Sequence, residues 1–336
     1  HSRYIRNDIY IALFTLIWIY GAFRYLDTRR ARWLTMMVLG MALGFITKEN
    51  HFIGGAILGA FFAALALWQS MGRPFFLLLS PLLLGGGIAY YFHMADRDDL
   101  GLIALGAGVI AALAVFLFSL RDGSWGRLRR TDSGDLAIVM LTLVMPFTAP
   151  VLYLGIGPLF GWEILHFGDW QSPQSIANDI IIRYGALALA LTGLAALLAW
   201  YWFGLRRNDE TQPPLLSFGL WAQQMGLFWL IQILFFTTFF TNFRNGMVTG
   251  IIGSLGYWIA QQEVARGGQP DYYYLLLTAL YEFLPALLSL LGMAIVGLNL
   301  WYTTKWEPVL DLPDNVLREE EALQARAIAE EGDTAQ

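Results

Sequence analysis

The stretch Thr47-Lys48-Glu49-Asn50-His51 places two charges and an imidazole between two long apolar runs, Trp33 to Ile46 and Phe52 to Trp68. A charged side chain at the centre of a membrane helix costs roughly 2.5–3.5 kcal/mol, so charges beside such runs are paired, held at the interface or used. Lys48 is a point charge suited to a phosphate. His51 could coordinate a metal or shuttle a proton. Glu49 could orient Lys48 or join a cation site. Lys48 and His51 are three apart, and Thr47 and His51 four apart, so each pair shares a face if the helix runs on. The plain alternative is an interfacial loop in which Lys48 snorkels to headgroups beside Glu49.

Three other stretches carry polar chemistry. In Ser2-Arg3-Tyr4-Ile5-Arg6-Asn7-Asp8, Arg3 and Arg6 share a helical face and could hold a phosphate. Asp8 could be a general base, a metal ligand or a partner of Arg6; its plain alternative is a helix cap. Between Gly157 and Ile180 stand Trp162, Glu163, His166, Asp169 and Trp170. Aromatics beside carboxylates suit a sugar, and they suit the aromatic belt of a membrane interface equally. The third stretch opens at Thr241 with Asn242, Phe243, Arg244 and Asn245. Met247, Val248, Ile251, Ile252, Leu255 and Ile259 follow at helical spacing, with Gly246, Gly250 and Gly253 as a small-residue face. So short and glycine-rich a helix is expected to lie in the interface or dip into it. Glu282, about two turns into the last apolar run, should face the bundle interior, as a partner to Arg244 or as part of the site.

Positioning these residues falls to apolar helices. Hydrophobic residues make up 57% of the 336-residue chain and charged residues 14%, against about 25% charged in a soluble domain. The apolar residues fall in continuous runs of membrane-crossing length, which excludes alternating barrel strands. The expected fold is an all-α polytopic transmembrane bundle of about nine spans, counted by length. The runs are Ile9–Tyr25, Trp33–Ile46, Phe52–Trp68, Phe75–His93, Leu100–Leu120, Leu136–Ile156, Ile181–Leu205, Phe218–Phe240 and Leu275–Tyr302. The fifth and sixth read as ordinary spans without internal charge. Residues 1–304 form this membrane domain, and 305–336 read as an acidic cytoplasmic tail. There is no cysteine, hence no disulfide framework or thiolate metal site. The chain starts on a polar stretch leading straight into a span, the expectation for a fragment or processed product with material upstream.

Arginine sets the expected orientation. Arg24, Arg29, Arg30 and Arg32, then Arg73, then Arg121, Arg127, Arg129 and Arg130, then Arg206 and Arg207 occupy alternate connections. The positive-inside rule places these in the cytoplasm. Residues 2–8, 47–51, 157–180 and 241–274 then share the extracytoplasmic face, so the stretches richest in chemistry converge on one side of a multi-pass cell-membrane protein.

Ser2-Arg3-Tyr4-Ile5-Arg6-Asn7-Asp8, heading a span, resembles the second acidic motif of the membrane GT-C glycosyltransferases, which include protein O-mannosyltransferases and aminoarabinose transferases. Gly44-Phe45-Ile46-Thr47-Lys48-Glu49 resembles the Thr-Lys-Glu or Thr-Lys-Gly segment that ends a later span there. The stretch from Gly253 to Gln262, with Arg266-Gly267-Gly268-Gln269-Pro270 and Tyr281-Glu282-Phe283-Leu284-Pro285, is similar to a narrower group. That group is the bacterial and archaeal family of flippase-activity-associated proteins related to the mannosyltransferases. The resemblance implies transfer of a sugar from a polyprenyl-phosphate donor on the outer face to an acceptor left open. Joined to the reading of the residues themselves, it makes Asp8, Lys48 and Glu49 the expected catalytic residues, with Arg3, Arg6, His51, Arg244 and Glu282 expected around the substrate. It also implies an earlier outer loop bearing the catalytic base, expected in the material upstream of Ser2. A divalent cation stays an open cofactor; membrane lipid is an expected partner and nucleic acid is not. The alternative function is a non-enzymatic component of a lipid-linked sugar flippase, for which Gln223, Gln224 and Gln232 in the eighth run are the hint.

Overall fold

The computed structural model describes residues 8–48, 51–72, 74–95, 97–119, 124–171, 173–205, 216–260, 287–295 and 298. Among the described residues there are helices and turns and no strand. Seven helical stretches are long and apolar enough to cross a membrane: Ile9–Thr28, His51–Met71, Phe75–His93, Asp99–Ser119, Asp132–Phe160, Asn178–Gly204 and Phe218–Phe236. Ala31–Thr47, at 17 residues, is a shorter apolar helix. Of the ninth run, residues 287–295 are helical and exposed; its remainder and the tail from 305 lie outside the described residues. The fold is an all-α polytopic bundle.

α1 (Asp8–Thr28) and α2 (Ala31–Thr47) form an antiparallel hairpin turned by Arg29 in the left-handed region, φ 53°. The two backbones touch. A Cβ at Gly21 would come within 2.6 Å of the Met37 nitrogen, and one at Gly40 within 2.7 Å of the Trp18 nitrogen. Small residues at both crossings permit this approach. α3 (His51–Met71) returns to the Arg29 end. α4 (Pro74–Met94) and α5 (Asp98–Ser119) make a second hairpin, also joined backbone to backbone, with Gly85 against the Ala104 carbonyl. This hairpin meets α3 near its Arg29 end, through Met71, Phe75, Leu78 and Ala112.

A short α6 (Ser124–Leu128) leads to α7 (Asp132–Val144), where Thr131 caps the helix by accepting from the Gly134 N–H. Pro146 and Pro150 interrupt the helical ladder, so the span kinks through a 3-10 turn, Met145–Thr148, into α8 (Ala149–Ile156). α9 (Phe167–Gln171) lies in the long connection to α10 (Asn178–Ala199), which ends in a π turn at Trp200–Gly204. α11 (Phe218–Phe236) runs parallel to α2 and is joined to it by glutamines. Gln224 Nε2 donates to Thr35 Oγ1 and Gln232 Nε2 to the Ala42 carbonyl, each at 3.1 Å. The main core fills the space between α1, α2, α3, α7, α10 and α11, around Trp18, Met37, Phe62, Met140 and Phe228.

Thr238, Phe239 and Phe240 all have positive φ and reverse the chain after α11. α12 (Phe243–Met247), a π turn (Val248–Ile252) and α13 (Gly253–Ala260) then run end to end. Gly246 lies against the Phe236 carbonyl, and Gly253 and Gly256 against the Trp170 ring. The partners of this stretch are α8, α9, the 3-10 turn, α10 and the end of α11. It lies across the Lys48 half of the bundle without crossing to the Arg29 end.

The sixth span differs from its expected form. It begins at Asp132, four residues before the apolar run, and so contains Asp132 and Asp135, both buried. Arg29 Nε donates to Asp132 Oδ2 at 2.8 Å, and Trp202 Nε1 to Asp135 Oδ1 at 2.9 Å. Arg127 Nε donates to the Ser70 carbonyl at 2.8 Å, and Arg129 reaches the Tyr201 carbonyl at 2.6 Å. This network ties the α1–α2 turn, α3, α6, α7 and the end of α10 together at the Arg29 end. Some of the arginines read as orientation signals are therefore also structural.

Candidate functional site

The register of the first hairpin sets two expected site positions at one level along its length. Gly21 faces Trp33 and Met37, and Gly40 faces Phe14 and Trp18. Continued for two more turns, this antiparallel register sets position 8 level with position 48. Asp8 is the first described residue of α1 and Lys48 follows the last residue of α2, at the same end of the bundle. Lys48 is exposed there, on extended backbone (φ −164°, ψ 138°), with its N–H bonded to the Gly44 carbonyl at 3.2 Å. Arg3, Arg6, Glu49 and Glu282 lie outside the described residues.

The helix does not run on through Lys48, so Lys48 and His51 do not share a helical face. Thr47 turns its hydroxyl back to the Leu43 carbonyl, Lys48 is extended, and the described part of α3 runs from His51. His51 is buried, with its ring centroid 5.0 Å from Trp18 and 5.5 Å from Phe45. The imidazole occupies the notch left by Gly44, where a Cβ would overlap it. Its Nε2 is covered and has no hydrogen-bond partner. Here His51 is a wedge between helices, below the level at which Lys48 meets solvent. Among the described residues no group of three or more histidines and acids gathers as a metal site.

Arg244 is exposed on α12 and braces α10. Its Nη2 donates to the Ile176 carbonyl and to Asn178 Oδ1, both at 3.1 Å. No carboxylate among the described residues pairs with it; Asp179 next door is held by Arg183 at 2.9 Å.

The connection from Gly157 to Ile180 is packed down, with its aromatics used in folding. Tyr153 stacks on Tyr184 at 4.1 Å and donates its hydroxyl to the Glu163 carbonyl. Trp170 is 7% exposed and sits in the cradle of Gly253 and Gly256. It is neither an open sugar platform nor a belt residue. Trp162 is half-buried between Tyr153 and Phe160, with the Arg183 guanidinium 5.6 Å from its ring. Trp170→Ala should cost about 3–5 kcal/mol, the range for a buried aromatic truncated to alanine. Thermal unfolding in detergent would show it; a midpoint within a degree of the parent's would contradict this anchoring role.

Sequence reasoning passed over Asp132 and Asp135. Thr131 followed by Asp132 and Asp135 just before an apolar run is a helix-start signal that could have found them. No family model matches the chain, and no curated protein or solved structure is significantly similar to it.

Proposed function

We propose that this protein is a membrane glycosyltransferase working on a polyprenyl-phosphate-linked sugar at the Lys48 end of the bundle, and that this end is extracytoplasmic. The observation that carries the proposal is the α1–α2 register, which sets Asp8 and Lys48 at one level at one end of the hairpin, with Lys48 exposed. The sequence resemblance to GT-C enzymes names the same two positions. The distribution of arginine supports the orientation.

In the proposed reaction an acceptor oxygen attacks the anomeric carbon and the bond from that carbon to the phosphate oxygen breaks. The bonding pair leaves with the phosphate, and the acceptor proton passes to a carboxylate. The polyprenyl phosphate gains negative charge as it departs. Lys48, a cation at the edge of a low-dielectric region, stabilises that gain. Asp8 assists the acceptor side, directly or by orienting a water. Of the glutamines that could mark a transport path, Gln224 and Gln232 each donate from Nε2 across the α11–α2 contact, with Oε1 buried and without a hydrogen-bond partner, and Gln223 is exposed.

The test is sugar transfer from a polyprenyl-phosphate donor by the protein reconstituted in liposomes. Release of polyprenyl phosphate with a glycosylated acceptor is expected. Movement of the intact donor between leaflets without release would replace the transferase by a flippase component. Orientation is tested separately by single cysteines at two exposed positions, Ala31 and Gln174. A membrane-impermeant thiol reagent on intact cells should label the cysteine at 174 and spare that at 31. Labelling of both would overturn the topology.

A further inference from the structure

α10, α11 and α12 enclose a trough of about 380 Å³, within the size range of small-molecule sites. It exists because the neighbouring residues are small or kinked. Pro146 bends the seventh helix away, and Gly185 and Ala188 leave α10 without bulk; a Cβ on Gly185 would meet nothing within 4 Å. Trp229, Ile233 and Met247 form the other walls. The polar side chain at its edge, Thr192, returns its hydroxyl to the Ala188 carbonyl. The lining therefore favours hydrocarbon over a sugar or a peptide. Leu189, beside the trough, is 74% exposed, so the trough opens sideways, where lipid chains lie against a membrane helix.

The charge arrangement narrows the occupant. Arg244 and Met247 are three apart on α12 and share its face. Met247 lines the trough, while Arg244 bonds to Asn178, the first residue of α10. Gly185 and Ala188 lie two to three turns further along α10. The guanidinium thus stands where α10 begins, and the trough runs from there towards the middle of the bundle. No described carboxylate pairs with it. A cation above an apolar trough complements a molecule with an anionic head and one buried chain. The trough is also separate from the proposed reaction site. On α11 the residues facing α2 are Gln224, Phe228 and Gln232; the trough takes Trp229 and Ile233, about a quarter turn round.

We propose that this trough holds one acyl chain of an anionic phospholipid, with the lipid phosphate paired to Arg244. The occupant fills a void between α10, α11 and α12 and fixes the stretch that folds back from α11.

The test is retention of phosphatidylglycerol against phosphatidylcholine by the purified protein in detergent, read as adducts by native mass spectrometry. The parent should prefer phosphatidylglycerol by about fivefold, the attraction of one cation for an anionic headgroup. Arg244→Gln should abolish the preference, and Arg244→Lys, which keeps the charge, should restore most of it. Gly185→Leu places a side chain into open space and favours the helix; it should lower retention of both lipids without lowering the unfolding temperature. A preference that survives Arg244→Gln, or retention unchanged by Gly185→Leu, would overturn the proposal. So would displacement of phosphatidylglycerol by equimolar polyprenyl phosphate, which would give the trough to the donor.

Discussion

Lys48→Met should lower turnover of the proposed sugar transfer about a hundredfold or more in the reconstituted protein, while yield and unfolding temperature stay near those of the parent. The size follows from the loss of one preorganised donor to a developing negative charge, about 2.7–4 kcal/mol. The selectivity follows from position. Lys48 is exposed after the end of α2, on extended backbone, so methionine there removes charge without opening a cavity. Lys48→Arg keeps the charge and should retain a measurable part of the rate. Asp8→Asn is the companion variant. It keeps the shape and an oxygen that can cap a helix, and removes the charge. If both Lys48→Met and Asp8→Asn turn over at the parental rate with matched expression, the two residues revert to snorkelling and capping.

At the opposite end, Asp132→Ala should destabilise the protein by about 3 kcal/mol, the lower end of the cost of breaking a buried ion pair from one side, because the Arg29 left behind keeps some solvent. Asp132 is buried and its Oδ2 lies 2.8 Å from Arg29 Nε. Arg29 itself sits at φ 53°, a conformation that non-glycine residues rarely adopt. The pair therefore holds the α1–α2 turn against α7. Arg29→Ala should destabilise as well, and the double variant should cost clearly less than the sum of the singles. Chemical denaturation in mixed micelles measures all three. Strict additivity would mean that the pair is a bystander. The turn also sets the hairpin register, so both single variants should slow the proposed sugar transfer as well.

Most helices were legible because a bilayer demands continuous apolar runs of fixed length, and that demand is written directly in composition. The stretch 246–262, too short and glycine-rich to read as a span, was legible for the complementary reason as far as residue 260, where the described part ends: its glycines suit close packing across other helices. What stayed hidden depends on contacts distant in sequence. Nothing near Trp170 reveals that Gly253 and Gly256 will cradle it, so the choice between sugar platform and aromatic belt missed a third fate. His51 gave no local sign that Gly44 leaves a notch for its ring. Asp132 and Asp135 were passed over because burial of an acid is read from its partners, here Arg29 and Trp202, which lie far along the chain. For Asp8 and Lys48 the sequence supplied the residue types, and the glycine crossings of the hairpin supplied their common level.

The glutamine seam has a consequence for synthesis. Gln224 and Gln232 reach partners on α2 across 189 and 190 residues of chain. At about 5–20 residues per second, α2 waits roughly 10–40 s before the helix that completes its packing leaves the ribosome. During that interval the first hairpin stands in the lipid with one flank uncovered, and an insertion chaperone or a membrane protease has time to read it. Changes in α11 that weaken the seam should then show first as shortened lifetime of the newborn chain, at temperatures where the finished protein is still stable.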